Sequence, residues 1–220
     1  MEIKMKDWLT ILNPILDLQG GILYSSYDTL SKGDFYLLGV NPGGSGGITI
    51  REDISKLPMK QKNDYLDDYW ENKAARYGKG KAPLQRRIRW LFEQLGYDVR
   101  KICASNLIFV ESVKVSDIPF FVLADTCWPI HQQIIEIVEP KIIITFGNSG
   151  TSPYAYLKRK MVNVKENKPI KSGHGNWMCK SFIADFNYRQ ICVAGLPHMS
   201  RYSPIGRDHV IKWLKTMLLI

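Results

Sequence analysis

Apolar residues along this chain are concentrated in four short runs in which they do not alternate with polar residues. The runs are "FYLLGV" (35–40), "ICASNLIFV" (102–110), "KIIITFG" (141–147) and "RQICVAGL" (189–196). Short runs rich in Ile, Val and Phe are typical of strands that are buried on both faces of a parallel sheet. The pattern therefore predicts four central strands.

Between these runs, apolar residues recur at the spacing of a helix. Residues 82–96 place five apolar side chains on one helical face and end at Gly96, a residue that commonly terminates helices. Residues 124–140, which end at a proline, and residues 203–219 are predicted as two further helices. Because strands and helices alternate, the sequence predicts a three-layer α/β/α fold with a central, mainly parallel four-stranded sheet.

The remaining segments are interpreted as additions to one domain spanning residues 1–220. A polar, aromatic stretch at about 48–81 is predicted to be an insertion, with a helical middle, over the C-terminal edge of the sheet. Residues 162–177 are predicted as a loop that leads into an extra strand at 178–186. The N-terminus is predicted to form a short amphipathic helix rather than a signal peptide, because charges and Asn13-Pro14 interrupt its apolar part.

The charge balance suggests a polyanionic partner. The chain carries 30 Lys and Arg residues against 21 Asp and Glu residues, a net charge of +9. Nucleic acid is the first candidate for such a partner, and the alternative is a basic protein surface with no anionic ligand. No apolar run reaches the length of about 18 residues that a membrane span needs, so no membrane partner is expected.

The cysteines do not predict a metal site. Cys103, Cys127, Cys179 and Cys192 form no Cys-x-x-Cys pair, and two of them lie within predicted strands. We expect reduced thiols, a cytoplasmic location, a monomer, and neither a metal nor another cofactor.

The ends of the predicted strands carry the candidate chemistry. Ligands of open α/β sheets bind at the carboxyl ends of the strands. The first run is followed by Asn41-Pro42-Gly43-Gly44, the third by Asn148-Ser149 and the fourth by a segment containing His198. The second run contains Asn106, a polar amide that needs hydrogen-bond partners if it is buried.

These residues resemble the active-site motifs of the uracil-DNA glycosylase superfamily. Gly39-Val40-Asn41-Pro42-Gly43 is similar to the first motif, in the form with Asn that the mismatch-specific and single-strand-selective branches have. "GLPHMSRYSP" is similar to the second motif, with His198 and Ser200 matching and Met199 in place of the usual proline. Asn106 corresponds to the base-reading Asn of the family. The resemblance covers roughly residues 33–215, and the ordered set of motifs is more specific than the first motif alone.

The resemblance implies a monofunctional DNA base glycosylase that acts on a nucleotide flipped out of the duplex. Asn41 would orient the attacking water, because an amide cannot take up a proton at neutral pH. His198 would donate a hydrogen bond to O2 of the departing pyrimidine, and Asn106 would read its Watson–Crick edge. Each residue also has a structural interpretation: a turn-capping Asn, a loop histidine and a core Asn with satisfied hydrogen bonds.

The glycine-rich segment suggests which bases are accepted. Gly39, Val40, Pro42, Gly43 and Gly44 are predicted to bind substrate, since glycines let the backbone approach a nucleotide closely. No aromatic residue occurs between Asn41 and Gly47, which indicates a pocket open near C5 of a uracil or 5-modified pyrimidine. Alternatively, the insertion folds back and closes the pocket with Tyr65, Tyr69 or Trp70.

A further set of residues is predicted to contact DNA. Asn148 and Ser149 are predicted to open a helix whose free N–H groups bind a phosphate. Ser200 is predicted to be a second phosphate ligand. The candidates to enter the space that the flipped base leaves are Met199, Arg201 and Tyr202. Arg86 lies in the basic run 71–89, which also includes Lys73.

Two other functions are compatible with the sequence. One is an inactive DNA-binding module of the same fold, suggested by Met199 and by Asn41 where faster family members have Asp. The other is a different α/β enzyme that binds a nucleotide phosphate, although neither a Gly-x-Gly-x-x-Gly nor a P-loop motif is present. For a glycosylase, the biological role is either repair or defence against modified phage DNA.

Overall fold

The computed structural model describes residues 5–44, 46–72 and 75–219. Its helices are α1 Met5–Ile11, α2 Ile50–Lys56, α3 Asp64–Asp67, α4 Pro83–Leu95, α5 Phe120–Val138, α6 Pro153–Lys160 and α7 Asp208–Met217. Its strands are β1 Phe35–Gly39, β2 Glu71–Asn72, β3 Ala75–Arg76, β4 Cys103–Asn106, β5 Ile142–Phe146, β6 Val162–Glu166, β7 Ile170–Lys171, β8 Met178–Phe186 and β9 Arg189–Leu196.

The predicted α/β class is confirmed, but the sheet is larger than predicted. The four predicted strands pair in parallel in the order β4-β1-β5-β9. Strands β8, β6 and β7 extend this set in antiparallel pairings, giving a mixed sheet of seven strands rather than four. The extra strand β8 was predicted with its observed bounds. Strands β6 and β7 were wrongly predicted as loop, because β6 is largely solvent-exposed and has no buried apolar pattern.

Helices cover both faces of the sheet, so successive residues of β1 pack into two separate cores. Tyr36 and Leu38 pack into one core together with α5, whereas Phe35 and Leu37 pack into the other together with α4 and α7. Two-sided burial explains why the central strands show continuous apolar runs instead of alternation.

The helices match the predictions to different degrees. Helix α4 ends at Gly96, which has the expected left-handed conformation with φ of 89°. Helix α5 starts at Phe120, before the predicted residue 124, and continues through Pro129. Helix α7 starts only at Asp208, because the segment before it forms a loop containing the buried Pro204.

The insertion contains the short helices α2 and α3, the second within its middle as predicted, and the short strands β2 and β3. Helix α2 begins with a capping box in which the Thr49 side chain accepts from Glu52 N and the Glu52 side chain accepts from Thr49 N. Asn63 caps α3, and β2 pairs with β3 as a hairpin. No helix in the described ranges is long and apolar enough to cross a bilayer.

The four cysteines are buried and unpaired, as expected for small apolar residues. Burial raises the pKa of each thiol to about 12, so the thiolate forms are disfavoured at neutral pH. Within the described part of the chain, no group of three or more His, Cys, Asp or Glu side chains is arranged to hold a metal ion.

His131 is a buried histidine that links β1 to the segment after β4. Its Nε2 lies 2.9 Å from Leu107 O, and its Nδ1 lies 2.8 Å from the Tyr36 hydroxyl. A carbonyl only accepts, so Nε2 carries the proton and Nδ1 accepts from Tyr36. Burial lowers the pKa of His131 to about 4, so the ring is neutral at pH 7.

We expect His131 to make the protein acid-sensitive. The unfolded chain binds a proton at this residue below its ordinary pKa of about 6.5, whereas the folded protein binds it only near pH 4. Stability is therefore lost as pH falls, by about 3 kcal/mol in total across this window. The free energy of unfolding in urea is measured for wild type and for His131→Gln. The value for wild type minus the value for the variant should decrease as pH falls from 7 to 4. A pH-independent difference would contradict a neutral buried His131, and replacement of the exposed His209 serves as control.

Candidate functional site

A cavity of about 800 Å³ lies at the carboxyl ends of the parallel strands, and the insertion forms one of its walls. Asn41, Asn106 and His198, which come from three different strand ends, all border it. The predicted residues Val40, Pro42, Gly43 and Gly44 border it as well. The three candidate chemical groups are therefore brought together around one space.

Asn41 presents its side-chain oxygen rather than its nitrogen as the available group. Its Nδ2 donates to Pro42 O at 2.7 Å, to Ser112 Oγ at 2.9 Å and to Ser112 O at 3.3 Å. Two of these partners are carbonyl oxygens, which only accept, so the orientation of the amide is fixed. None of the described residues donates to Asn41 Oδ1, which leaves this oxygen able to accept a hydrogen bond from water.

Asn106 is buried at the end of β4 and lies directly over Gly39 of β1, its register partner. A Cβ added to Gly39 would lie 2.0 Å from Asn106 Oδ1 and 2.8 Å from Cζ of Phe146. Gly39 is thus required by close packing. Asn106 also contacts Tyr24. Burial raises the pKa of Tyr24, and its side-chain hydrogen bond with Asn106 partly offsets this rise.

Replacing Gly39 with alanine is expected to destabilise the protein by about 1–3 kcal/mol, because the new methyl group displaces Asn106 and the Phe146 ring. The urea-unfolding midpoint measures this change. Gly43→Ala is the matched control within the same motif, since no atom lies within 4 Å of its added Cβ. Equal stability of the two variants would show that the contact with Asn106 is not restrictive.

His198 is held as a neutral imidazole with a defined tautomer. The backbone N–H of Ser200 donates to Nδ1 at 3.2 Å, and the Ser200 hydroxyl lies 2.7 Å from the same nitrogen. Because Nδ1 accepts, the proton resides on Nε2. Burial, with a further contribution from Arg201, lowers the pKa of His198 and favours the neutral form. None of the described residues accepts from Nε2, so this N–H is available to a ligand in the cavity.

Arg87 fixes the loop that carries His198. Its Nη1 donates to Met199 O at 2.6 Å and to Ser200 O at 2.9 Å. Arg86, the predicted DNA contact, directly precedes Arg87 and is exposed on α4. Arg87 lies three residues after Leu84 and four before Leu91, so the phase of the helix places it on the side of these apolar residues.

The glycine-rich segment is shaped by Glu111. Gly44 has φ of 126°, and a Cβ there would lie 2.6 Å from Glu111 Oε1. Gly47 N donates to Glu111 Oε2 at 3.1 Å, and Gly46 N donates to Gln19 Oε1 at 2.9 Å. These two amides are occupied, so the segment is not a general phosphate-binding loop.

The insertion supplies aromatic walls to the cavity but does not close it, since a volume of about 800 Å³ remains. Tyr65, Tyr69 and Trp70 all border the cavity. The rings of Tyr24 and Tyr65 lie 5.6 Å apart, and those of Tyr65 and Trp70 lie 5.7 Å apart. The rings of Tyr65, Tyr69 and Trp70 come from the insertion, and no aromatic residue directly follows Asn41.

The cavity is acidic although the protein is basic. Asp53, Asp64, Asp68 and Glu111 border it, and Lys60 forms a 2.9 Å ion pair with Asp64. Burial raises the pKa of Asp64 to about 6, against the opposing effect of Lys60. Beside these carboxylates the cavity favours groups that donate hydrogen bonds over negatively charged groups.

Two predicted wedge residues are corrected by the structure. Met199 and Tyr202 are fully buried in the core beneath α4 and α7, so neither can enter DNA. The Tyr202 hydroxyl donates to Ser172 O at 3.1 Å. Ser200 and Arg201 between them are exposed, which is compatible with their predicted DNA contacts.

The predicted phosphate site after β5 is also corrected. Helix α6 begins at Pro153 with Ser152 as its cap, so Asn148 and Ser149 do not open it. Asn148 Nδ2 instead donates to Met178 O and Gly195 O, both at 2.8 Å, and ties the loop after β5 to β8 and β9. Ser149 is exposed. Lys73 of the basic run lies outside the described residues.

Comparison of the chain with protein-family models and with curated proteins found no match.

Proposed function

We propose that this protein is a monofunctional DNA base glycosylase of the uracil-DNA glycosylase type, which hydrolyses the N-glycosidic bond of a flipped uracil or 5-modified pyrimidine. The observation that carries the proposal is the meeting of Asn41, Asn106 and His198 at one cavity. The amide oxygen of Asn41 and the Nε2–H of His198 both lack partners among the described residues. An acceptor for water and a donor for a departing base are the two groups that this reaction needs.

The reaction divides among the three residues. The nucleotide leaves the base stack, at a cost of a few kcal/mol, and Asn106 pairs with its Watson–Crick edge. The bond between C1′ and the base nitrogen breaks, and its electron pair stays on the base. His198 Nε2–H stabilises the negative charge that develops at O2. Water held by Asn41 Oδ1 adds to C1′ and releases its proton to solvent.

The cavity favours a substituted pyrimidine over bare uracil. Its volume of about 800 Å³ lies toward the upper end of the range of small-molecule sites and exceeds the need of an unsubstituted base. Tyr65, Tyr69 and Trp70 provide apolar faces, and Asp64 and Asp68 provide acceptors for hydroxyl or amino groups. A neutral substituent at C5 matches this lining better than a carboxylate.

Incubation with labelled oligonucleotides tests the proposal. The panel contains uracil, thymine mismatches, 5-hydroxymethylcytosine and glucosylated 5-hydroxymethylcytosine, and abasic sites are detected by alkaline cleavage. We expect abasic product from at least one member, with faster release of the neutral substituted pyrimidines. Tight DNA binding without abasic product on any member would instead support an inactive DNA-binding module. Met199, which replaces the usual proline, fills a core position, so its presence does not by itself favour the inactive module.

A further inference from the structure

The tip of the β7–β8 hairpin, residues 172–177, lies at the same edge of the sheet as the candidate site. Strand β8 runs antiparallel to β9, and Lys180 near its start pairs with Gly195 near the end of β9. The segment before β8 therefore emerges where the parallel strands end. No function was assigned to this segment from the sequence, although "SGHGNW" stands out there.

The hairpin tip is attached to both neighbouring loops of the site. Tyr202, in the loop that carries His198, donates to Ser172 O at 3.1 Å. Asn148, after β5, donates to Met178 O at 2.8 Å, and Lys180 Nζ lies 3.3 Å from Asn148 O. These contacts fix the position of the tip relative to His198.

Trp177 is presented to solvent from this fixed tip. The turn is closed by hydrogen bonds from Trp177 N to His174 O at 3.1 Å and from Ser172 N to Trp177 O at 2.9 Å. The Trp177 ring packs against His174, with 4.7 Å between ring centroids, yet the residue remains 39% exposed. A large aromatic side chain held at the edge of a binding site offers a stacking surface.

The segment that carries Trp177 is basic. Residues 167–184 contain three lysines and no acidic residue. Lys168 and Lys171 are exposed, and neither takes part in an ion pair between described residues. Unpaired lysines beside an exposed aromatic ring are suited to a nucleic-acid strand, in which phosphates and bases alternate.

We propose that the hairpin tip is a second DNA contact, in which Trp177 stacks on the base next to the extruded nucleotide and Lys168 and Lys171 face the phosphates. This inference rests on the DNA-binding part of the proposed function but not on catalysis. It gives Trp177 the role that the buried Met199 and Tyr202 cannot perform.

Fluorescence anisotropy tests this contact with a labelled short duplex that contains one tetrahydrofuran abasic analogue, which cannot be cleaved. Trp177→Ala should raise Kd about tenfold or more, whereas Trp177→Phe should largely restore binding. With 2-aminopurine beside the analogue, wild type should change the probe's fluorescence and Trp177→Ala should not. Near-UV circular dichroism and thermal unfolding check that the variants are folded.

Tyr188→Ala is the matched control, because Tyr188 is fully exposed just after the other end of β8. Its Kd should equal that of wild type. Undiminished binding by Trp177→Ala, equal losses in both variants, or no DNA binding by wild type would each overturn the inference. Binding that depends on Trp177, without abasic product in the oligonucleotide panel, would reject the glycosylase activity and retain this contact.

Discussion

Asn41→Ala is expected to lower the single-turnover rate of base release by about 100-fold, with little change in DNA affinity. The variant loses Oδ1, the acceptor that positions water below the sugar, and loss of correct positioning costs an effect of this size. Rapid-quench measurement of abasic product under enzyme excess gives the rate, and anisotropy gives the affinity. Asn13→Ala, at the exposed Asn-Pro pair in the N-terminal segment, is the matched control.

Asn41→Asp sharpens this prediction. A carboxylate at this position is associated with faster members of the family that the sequence resembles. Here, however, Nδ2 donates to the carbonyl oxygens of Pro42 and Ser112. A carboxylate has no hydrogen to donate, so one of its oxygens would lie against these two oxygens and be repelled by them. We therefore expect Asn41→Asp to be slower than wild type and less stable to urea. A faster Asn41→Asp variant would contradict the hydrogen bonding assigned to Asn41.

His198→Ala is expected to reduce the rate of base release by about 100- to 1,000-fold, because it removes a donor to the oxygen on which charge develops. The loss should be in the chemical step, so the Kd for DNA should change little. His198→Gln retains an N–H donor and should recover part of the rate.

Tyr188→Ala is the control for His198, since Tyr188 is fully exposed and does not border the cavity. A rate in His198→Ala equal to that of wild type would exclude His198 as the donor. An increase in Kd that accounts for the entire loss would assign His198 to DNA binding only.

The central fold was predictable because burial on both faces leaves a strong signal. The runs that became β1, β5 and β9 are almost uninterrupted by polar residues, and Gly96 marks the end of α4. The sheet extension was missed in part because an edge strand such as β6 keeps polar residues on both faces. The predicted start of α7 was wrong, because apolar residues before the helix pack into the core from a loop.

The candidate site was predictable where a strand end fixes the position of a residue. Asn41 follows β1, Asn106 ends β4 and His198 follows β9. These strands belong to one parallel set, so the sheet topology brings the three residues to the same edge. Contacts between distant segments have no comparable signal. The aromatic wall from Tyr65 and Trp70, the Arg87 contacts and the burial of Met199 and Tyr202 each depend on tertiary packing.

The central claim is that Asn41, Asn106 and His198 enclose one extruded nucleotide. The most direct measurement is a crystal structure of the full chain with an oligonucleotide containing 2′-fluoro-2′-deoxyuridine, whose glycosidic bond resists cleavage. We expect the uracil ring inside the cavity, with O2 at hydrogen-bond distance from His198 Nε2, its Watson–Crick edge on Asn106, and a water between Asn41 Oδ1 and C1′. A complex in which the uracil stays stacked in the DNA, or in which DNA covers another face, would contradict it.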